Sequence, residues 1–172
     1  MAYKNGTYVA FNGCGTTDPT ESDIKYYNLL KAWAESDNSD FSFSNSHEKT
    51  SQVSDESKLS TLKARLQERL RNSKNMLLII TEHSAINRGL LNWEIEQAIT
   101  VYNLPIIVAY TGHNIMQTPT YFSSLWPKKL KEYIDKKVAR TIHIGFTKES
   151  IKKAINDFSF NALPQWIITI YK

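Results

Sequence analysis

The chain is poor in the residues that cross-link or ligate. Its single cysteine, Cys14, excludes an intrachain disulfide. Its four histidines, at 47, 83, 113 and 143, are scattered without paired helical spacing, whereas a structural zinc site needs several Cys or His ligands close together. No metal is therefore expected. Long hydrophobic runs are missing too. Met76–Ile80 and Leu104–Ala109 are among the longest, far below the roughly 20 residues that cross a bilayer. Met1–Gly15 lacks the apolar stretch of a secretory signal, because Lys4 is followed by polar residues and glycine. These absences lead us to expect a cytoplasmic protein without a membrane segment. No internal repeat or low-complexity linker divides the sequence, so 1–172 reads as a single domain, with a core over about 5–158 and a C-terminal extension over 159–172.

What is present has the balance of a folded globular chain, with 41% hydrophobic and 22% charged residues. At 172 residues the chain suits one core, since two would each be small. The net charge of +4 comes largely from lysines in Lys128–Lys137 and Lys148–Lys153. Leu130, Ile134, Ile151 and Ile155 interrupt these clusters at spacing four. That is the pattern of amphipathic surface helices, and we read the lysines as solvated helix faces, not as a nucleic-acid surface.

Short β-branched or aromatic runs alternate with longer helical patterns, which predicts a parallel sheet covered by helices on both faces. The strands are expected at Thr7–Asn12, Phe41–Asn45, Met76–Thr81, Leu104–Tyr110 and Ala139–Gly145, with Trp166–Tyr171 as an extra edge strand. Asp18-Pro19-Thr20-Glu21 offers an N-cap, a first-turn proline and a capping-box glutamate for a helix running to about Ser36. Leu59, Leu62, Leu66 and Leu70 mark a second helix, after the polar loop His47–Asp55. A third is expected over Arg88–Asn103, capped at Asn87, a fourth over Pro127–Lys137, and a fifth after Thr147. Thr111–Ser124 is turn-rich and suggests no element. The architecture this implies is α/β and flavodoxin-like: a five-stranded parallel sheet in the order 2-1-3-4-5, binding ligands at the carboxyl ends of its strands.

One residue does not fit its surroundings. At about 100° per residue, Leu90, Leu91, Ile95, Ala98, Ile99, Val101 and Tyr102 share one half of the third helix, and Glu94 falls among them. Glu96 and Thr100 fall on the opposite face. A carboxylate on an apolar face is either paired or lines a cleft. Glu94 thus reads as an edge residue, as the partner of Arg88 or another base, or as part of a ligand site. A helix-dipole role is weaker if Asn87 caps the helix, because Glu94 would then lie about two turns in.

The run of Ser84, then Asn87-Arg88-Gly89, then Asn92-Trp93-Glu94-Ile95, following a strand, resembles the serine-to-glutamate segment of bacterial TIR-like domains. Within that family the pattern is similar to the TIR subunit of Thoeris antiphage systems. The likeness spans roughly residues 5–158, although only Ser84–Ile99 is motif-grade. This sequence has Leu90 where the family often has an aromatic residue, and Ala10 where it often has a first-strand serine. The resemblance implies that Glu94 is the catalytic carboxylate of an NAD-cleaving enzyme, with NAD as substrate and no resident cofactor. Phe11, Asn12 and Gly13 at the end of the first strand, Asn45 and Ser46 at the end of the second, and Ser84 and Trp93 before the glutamate would line the substrate site. The family further implies self-association in the active state and a nucleotide product, an ADP-ribose derivative and cyclic by preference, that acts on a separate effector protein.

Such chemistry suits a lone acid. The oxocarbenium-like centre formed when the nicotinamide–ribose bond breaks is stabilised by a nearby negative charge, and nicotinamide leaves neutral without needing a proton. Two other classes stay open at the level of sequence. One is a non-catalytic TIR adaptor, in which Glu94 is structural and the loop after the second strand is an interaction surface. The other is a flavin- or nucleotide-binding protein using Gly13-Cys14-Gly15-Thr16-Thr17, although a lone GxG is equally a plain turn. A phosphoacceptor receiver is disfavoured, since Asn12-Gly13 and Thr81-Glu82 lack the required aspartates.

Overall fold

The computed structural model describes residues 6–12, 23–36, 43–45, 56–87 and 89–171. In chain order the elements are β1 (Gly6–Ala10), α1 (Ile24–Ser36), β2 (Phe43–Asn45), α2 (Glu56–Arg71), β3 (Ser73–Ile80), α3 (Leu91–Thr100), β4 (Ile106–Tyr110), a 3₁₀ segment (Pro119–Leu125), α4 (Lys128–Asp135), β5 (Thr141–Gly145), α5 (Lys148–Asp157) and β6 (Ile168–Ile170). The strands form one sheet in the order β2-β1-β3-β4-β5-β6, and every neighbouring pair is parallel. This is the α/β, flavodoxin-like order expected, with the sixth strand added at the edge.

Period-two alternation sorts the strand residues into two layers. Tyr8, Ala10, Met76, Leu78, Ile80, Ile106, Val108 and Tyr110 face α2, α3 and α4. Val9, Phe11, Leu77, Ile79, Ile107, Ala109, Ile142 and Ile144 face α1 and α5. Because β3 and β4 are covered on both sides, they read as continuous apolar runs. Leu66 and Leu70 bring α2 onto the first layer, and Tyr27 and Leu30 bring α1 onto the second. Among the described residues no helix is long and apolar enough to cross a membrane.

Several boundaries differ from expectation, for local reasons. The third helix starts at Leu91 with Leu90 at its N-cap and no side-chain cap. Asn87 does not cap it: its side-chain oxygen accepts instead from the Asn92 side-chain Nδ2 at 3.1 Å, and Gly89 takes a positive φ of 63° just before the helix. Glu94 therefore sits in the first turn, not two turns in, which reverses the argument against a dipole contribution. The helix also ends at Thr100, so Val101 is exposed rather than part of the apolar stripe. The stretch after β4 is structured: Met116 and Pro119 are buried, and the 3₁₀ segment leads to buried Trp126. The edge strand is shorter than Trp166–Tyr171, and Trp166 is exposed. Thr147 caps α5, its side chain accepting from the Ser150 amide at 3.2 Å. The capping signal Asp18–Glu21, the glycine turn Gly13–Thr17, Phe41, the loop His47–Asp55 and Arg88 lie outside the described residues.

Candidate active site

Glu94 projects from the first turn of α3 toward the sheet and is 1% exposed. Its Oε1 accepts a hydrogen bond of 2.5 Å from the Tyr8 hydroxyl, which reaches it from the middle of β1. Its Oε2 is equally buried and has no partner among the described residues. Burial pushes the carboxyl pKa up from 4.5 to about 7, while the Tyr8 bond pulls the other way. The positive end of the helix dipole also favours the ionised form. Taking a carboxylate out of water is costly unless its lone pairs are satisfied. A half-satisfied carboxylate in a core is what a missing hydrogen-bonding or cationic partner would complete.

The structure distributes the other expected site residues unevenly. Trp93 stands beside Glu94 on α3, half-buried on the same core, with the Lys63 ammonium of α2 over its ring at 5.4 Å. Asn12 is buried, and its side-chain amide donates to the carbonyls of His83 at 2.6 Å and Ile86 at 3.0 Å. The buried Ser84 hydroxyl accepts from the Thr81 amide at 2.8 Å and donates to the Ile79 carbonyl at 3.3 Å. Both residues thus shape the β3–α3 connection that delivers Glu94. Phe11 is not brought to Glu94: it lies in the other layer, stacked on Tyr27 with centroids 5.8 Å apart. Asn45 ends β2 in register with Val9. Gly13 and Ser46 lie outside the described residues.

Glu96 is set apart from Glu94 but not left in water. It accepts from the Tyr133 hydroxyl at 2.9 Å, and the Lys129 ammonium lies 3.6 Å away, both from α4. Two glutamates on one helix therefore serve opposite neighbours.

Tyr8 was hidden in the sequence, because a tyrosine in an alternating strand reads as ordinary core. The only hint is that a buried tyrosine hydroxyl needs a partner. A second constellation was missed because its members are far apart in sequence. A cleft of about 210 Å³ opens at the carboxyl ends of β3 and β4, lined by Asp23, Tyr26, Thr81, His83, Tyr110 and His113 among others, and not by Glu94. Asp23, 2% exposed, accepts from the Thr81 hydroxyl at 2.7 Å and holds the His83 Nδ1 at 3.3 Å. The His83 Nε2 lies 3.5 Å from the exposed Glu82 carboxylate. Across the cleft, His113 sets its ring edge-on to Phe122 at 4.9 Å. Among the described residues no group of three or more His, Cys, Asp or Glu is placed to hold a metal ion.

Beside the cleft runs a buried polar chain. The Trp126 indole donates to the Tyr110 hydroxyl at 2.8 Å, so the single Tyr110 proton goes to His143 Nδ1, also at 2.8 Å. His143 Nε2–H then donates to Thr141 Oγ1 at 2.9 Å, and that hydroxyl donates to the Ile167 carbonyl at 2.5 Å. Every link is satisfied with His143 neutral, and burial pushes its pKa down to about 3.

The family model for the Thoeris protein ThsB, TIR-like domain, matches residues 8–115, from Tyr8 through α3 and β4 to the segment beyond. Among solved structures, a conserved protein from Enterococcus faecalis V583 is similar in fold, with a TM-score of 0.50 at 11% sequence identity, covering 88% of this chain and 98% of that one. With more than half of its residues matched, Glu94 and Tyr8 included, the chain belongs to the TIR-like domain family of the Thoeris protein ThsB.

Proposed function

We propose that this protein acts in antiphage defence by cleaving the nicotinamide–ribose bond of NAD, with Glu94 as the catalytic carboxylate. The observation that carries this reading is the buried Glu94 Oε2, which lacks a partner among the described residues while Oε1 is held by Tyr8. In the reaction the C1′–N bond breaks and its electron pair passes to the pyridinium nitrogen, so nicotinamide departs neutral. The cation left on the ribosyl centre is stabilised by ionised Glu94, and a low-dielectric setting makes that charge worth more than in water. With a pKa near 7, Glu94 is partly ionised at neutral pH, and a cationic substrate draws it further toward the anion. Water adding to C1′ and losing a proton gives ADP-ribose; an adenine nitrogen adding and losing a proton gives a cyclic isomer. We favour the cyclic product as a signal to a separate effector, made by a self-associated form. NAD is then a substrate, and no resident cofactor is required.

The test is product analysis by mass spectrometry after incubating the protein with NAD, with and without extract from phage-infected cells. Glu94→Gln keeps size and hydrogen bonding but removes the charge. Losing ~3–4 kcal/mol of transition-state stabilisation lowers the rate by roughly 10²–10³. Glu96→Gln, at a side chain engaged by Tyr133 and Lys129 of α4, is expected to stay within a few-fold of wild type. Full activity in a folded Glu94→Gln protein would take the catalytic role away from Glu94, whereas no cleavage by wild type with or without infected-cell extract would favour a non-catalytic adaptor, in which the Tyr8–Glu94 bond simply ties α3 to β1.

A further inference from the structure

We propose that Tyr8 is the positioning residue for Glu94: its hydroxyl occupies Oε1 from inside the sheet, so that Oε2 alone is left to meet a substrate. This deepens the reading of Glu94 as a catalytic carboxylate and rests on it.

The geometry comes from two elements that the sequence separates by 86 positions. β1 is hydrogen-bonded on both sides, with Tyr8 in register with Ser44 of β2 and Met76 of β3. Its backbone is therefore tied to a neighbouring strand on each side. The Tyr8 side chain, fully buried, rises from that base into the layer between the sheet and α3. A carboxylate on an otherwise apolar helix face has free torsions, and an oxygen aimed a fraction of an ångström wrong loses much of its effect on a developing charge. One short bond from a rigid strand removes that freedom. It also divides the labour between the two oxygens, one bound to Tyr8 and one without a partner among the described residues.

Among the described residues, Tyr8 is the polar side chain bonded to the Glu94 carboxyl. β3 presents Met76, Leu78 and Ile80 to this layer. On α2, the Lys63 ammonium is placed over the Trp93 ring and Gln67 pairs with Gln97 at 3.2 Å. On α4, Lys129 and Tyr133 are engaged with Glu96. Burial and the Tyr8 hydroxyl oppose one another at the Glu94 carboxyl, and the α3 dipole acts on the same side as the hydroxyl. Tyr8 is not a catalytic residue in this account, since it touches no reacting atom. It acts through the carboxylate.

Removing only the hydroxyl, Tyr8→Phe, takes away a hydrogen bond to a charged group, and the Glu94 ionisation midpoint is expected to rise by about one pH unit. At pH 7 that leaves roughly one-fifth as much ionised free enzyme, so kcat/KM for NAD should fall about fivefold, with the loss shrinking as pH is raised toward 9. Replacing Tyr8 with 3-fluorotyrosine keeps the shape and makes the phenol a better donor, so the midpoint should move down. This second variant decides the matter if Tyr8→Phe folds poorly. The ionisation is read by ¹³C NMR of the glutamate side-chain carboxyl, assigned by its disappearance in Glu94→Gln, and independently by the pH profile of NAD cleavage. Opposite shifts in the two variants support the assignment. An unmoved midpoint in a folded Tyr8→Phe or 3-fluorotyrosine protein overturns it, and a lowered melting temperature alone would mark Tyr8 as structural. Midpoints that move in a protein that never cleaves NAD would uphold the Tyr8–Glu94 coupling and remove the proposed reaction.

Discussion

Two buried titratable side chains pull the stability of this protein in opposite directions as pH changes. Glu94 holds its proton in the fold up to about pH 7, against 4.5 for the ordinary carboxyl. Its contribution is therefore full below 4.5 and is lost as pH rises to 7, at about 1.4 kcal/mol per pH unit. His143 stays neutral in the fold down to about pH 3, against an ordinary 6.5. Its contribution is full above 6.5 and is lost as pH falls toward 3, with the same slope. Between pH 4.5 and 6.5 the two slopes cancel. Glu94→Gln removes one of them, so the variant should gain stability relative to wild type by about 1.4 kcal/mol for each pH unit gained in that window. Denaturant melts of both proteins across this range read the difference, and parallel curves would mean that Glu94 is ionised in the fold throughout. Near neutral pH the variant should be at least as stable as wild type, because a neutral amide is easier to bury than a carboxylate with one oxygen unpartnered among the described residues.

At the scale of elements, the two candidate sites depend on how connections leave the carboxyl ends of the strands. The β3–α3 turn is held by Asn12 and Ser84, and through it α3 starts where its first turn overlies Tyr8. The β4 side of the cleft depends on Gly145 at the end of β5. A Cβ there would meet the Asn114 carbonyl carbon and the His113 oxygen at 2.4 Å each, and both are backbone atoms. The strand end and the 113–114 segment can lie this close only without a side chain between them. Gly145→Ala should therefore cost about 1–3 kcal/mol and push His113 away from the cleft. In a chain of this length each kcal/mol is worth roughly 2–4 °C, so a melting temperature within a degree of wild type would show that the segment moves aside freely. A crystal structure of the variant would show the displacement of His113 directly. The same scale explains why Thr111–Ser124 gave no signal in the sequence. Its order comes from Gly112 at a φ of 79°, from buried Met116 and from the His113–Phe122 contact, none of which follows a helix or strand period.

For the molecule as a whole, the six parallel strands present their carboxyl ends on one side, where both the cleft and the β3–α3 connection lie. If the active form is an assembly of copies, as we propose, turnover per molecule should fall when the protein is diluted below its association range; a specific activity that stays flat over a hundredfold dilution would show that one copy suffices. The sequence by itself determined the layers, and its alternation of strand and helix patterns implied the order of the sheet through the fold class. Period-two runs and leucine stripes at spacing three to four are local, and they report which face of each element must be dry. It also singled out Glu94, because a carboxylate amid apolar neighbours on one helix is visible without tertiary structure. The partners were decided only by folding. Tyr8 meets Glu94 across 86 positions, Asp23 meets His83 across 60, and Tyr110 meets His143 across 33. Phe11 and Asn12, adjacent in the chain, went to different tasks: one stacks on α1 in the far layer, and the other clamps the turn before α3. The physical reason is that periodicity fixes the side of an element on which a residue falls, whereas a hydrogen bond of 2.5–3.3 Å requires two elements to be set in register and at the right height. Only the packed sheet and its helices supply that.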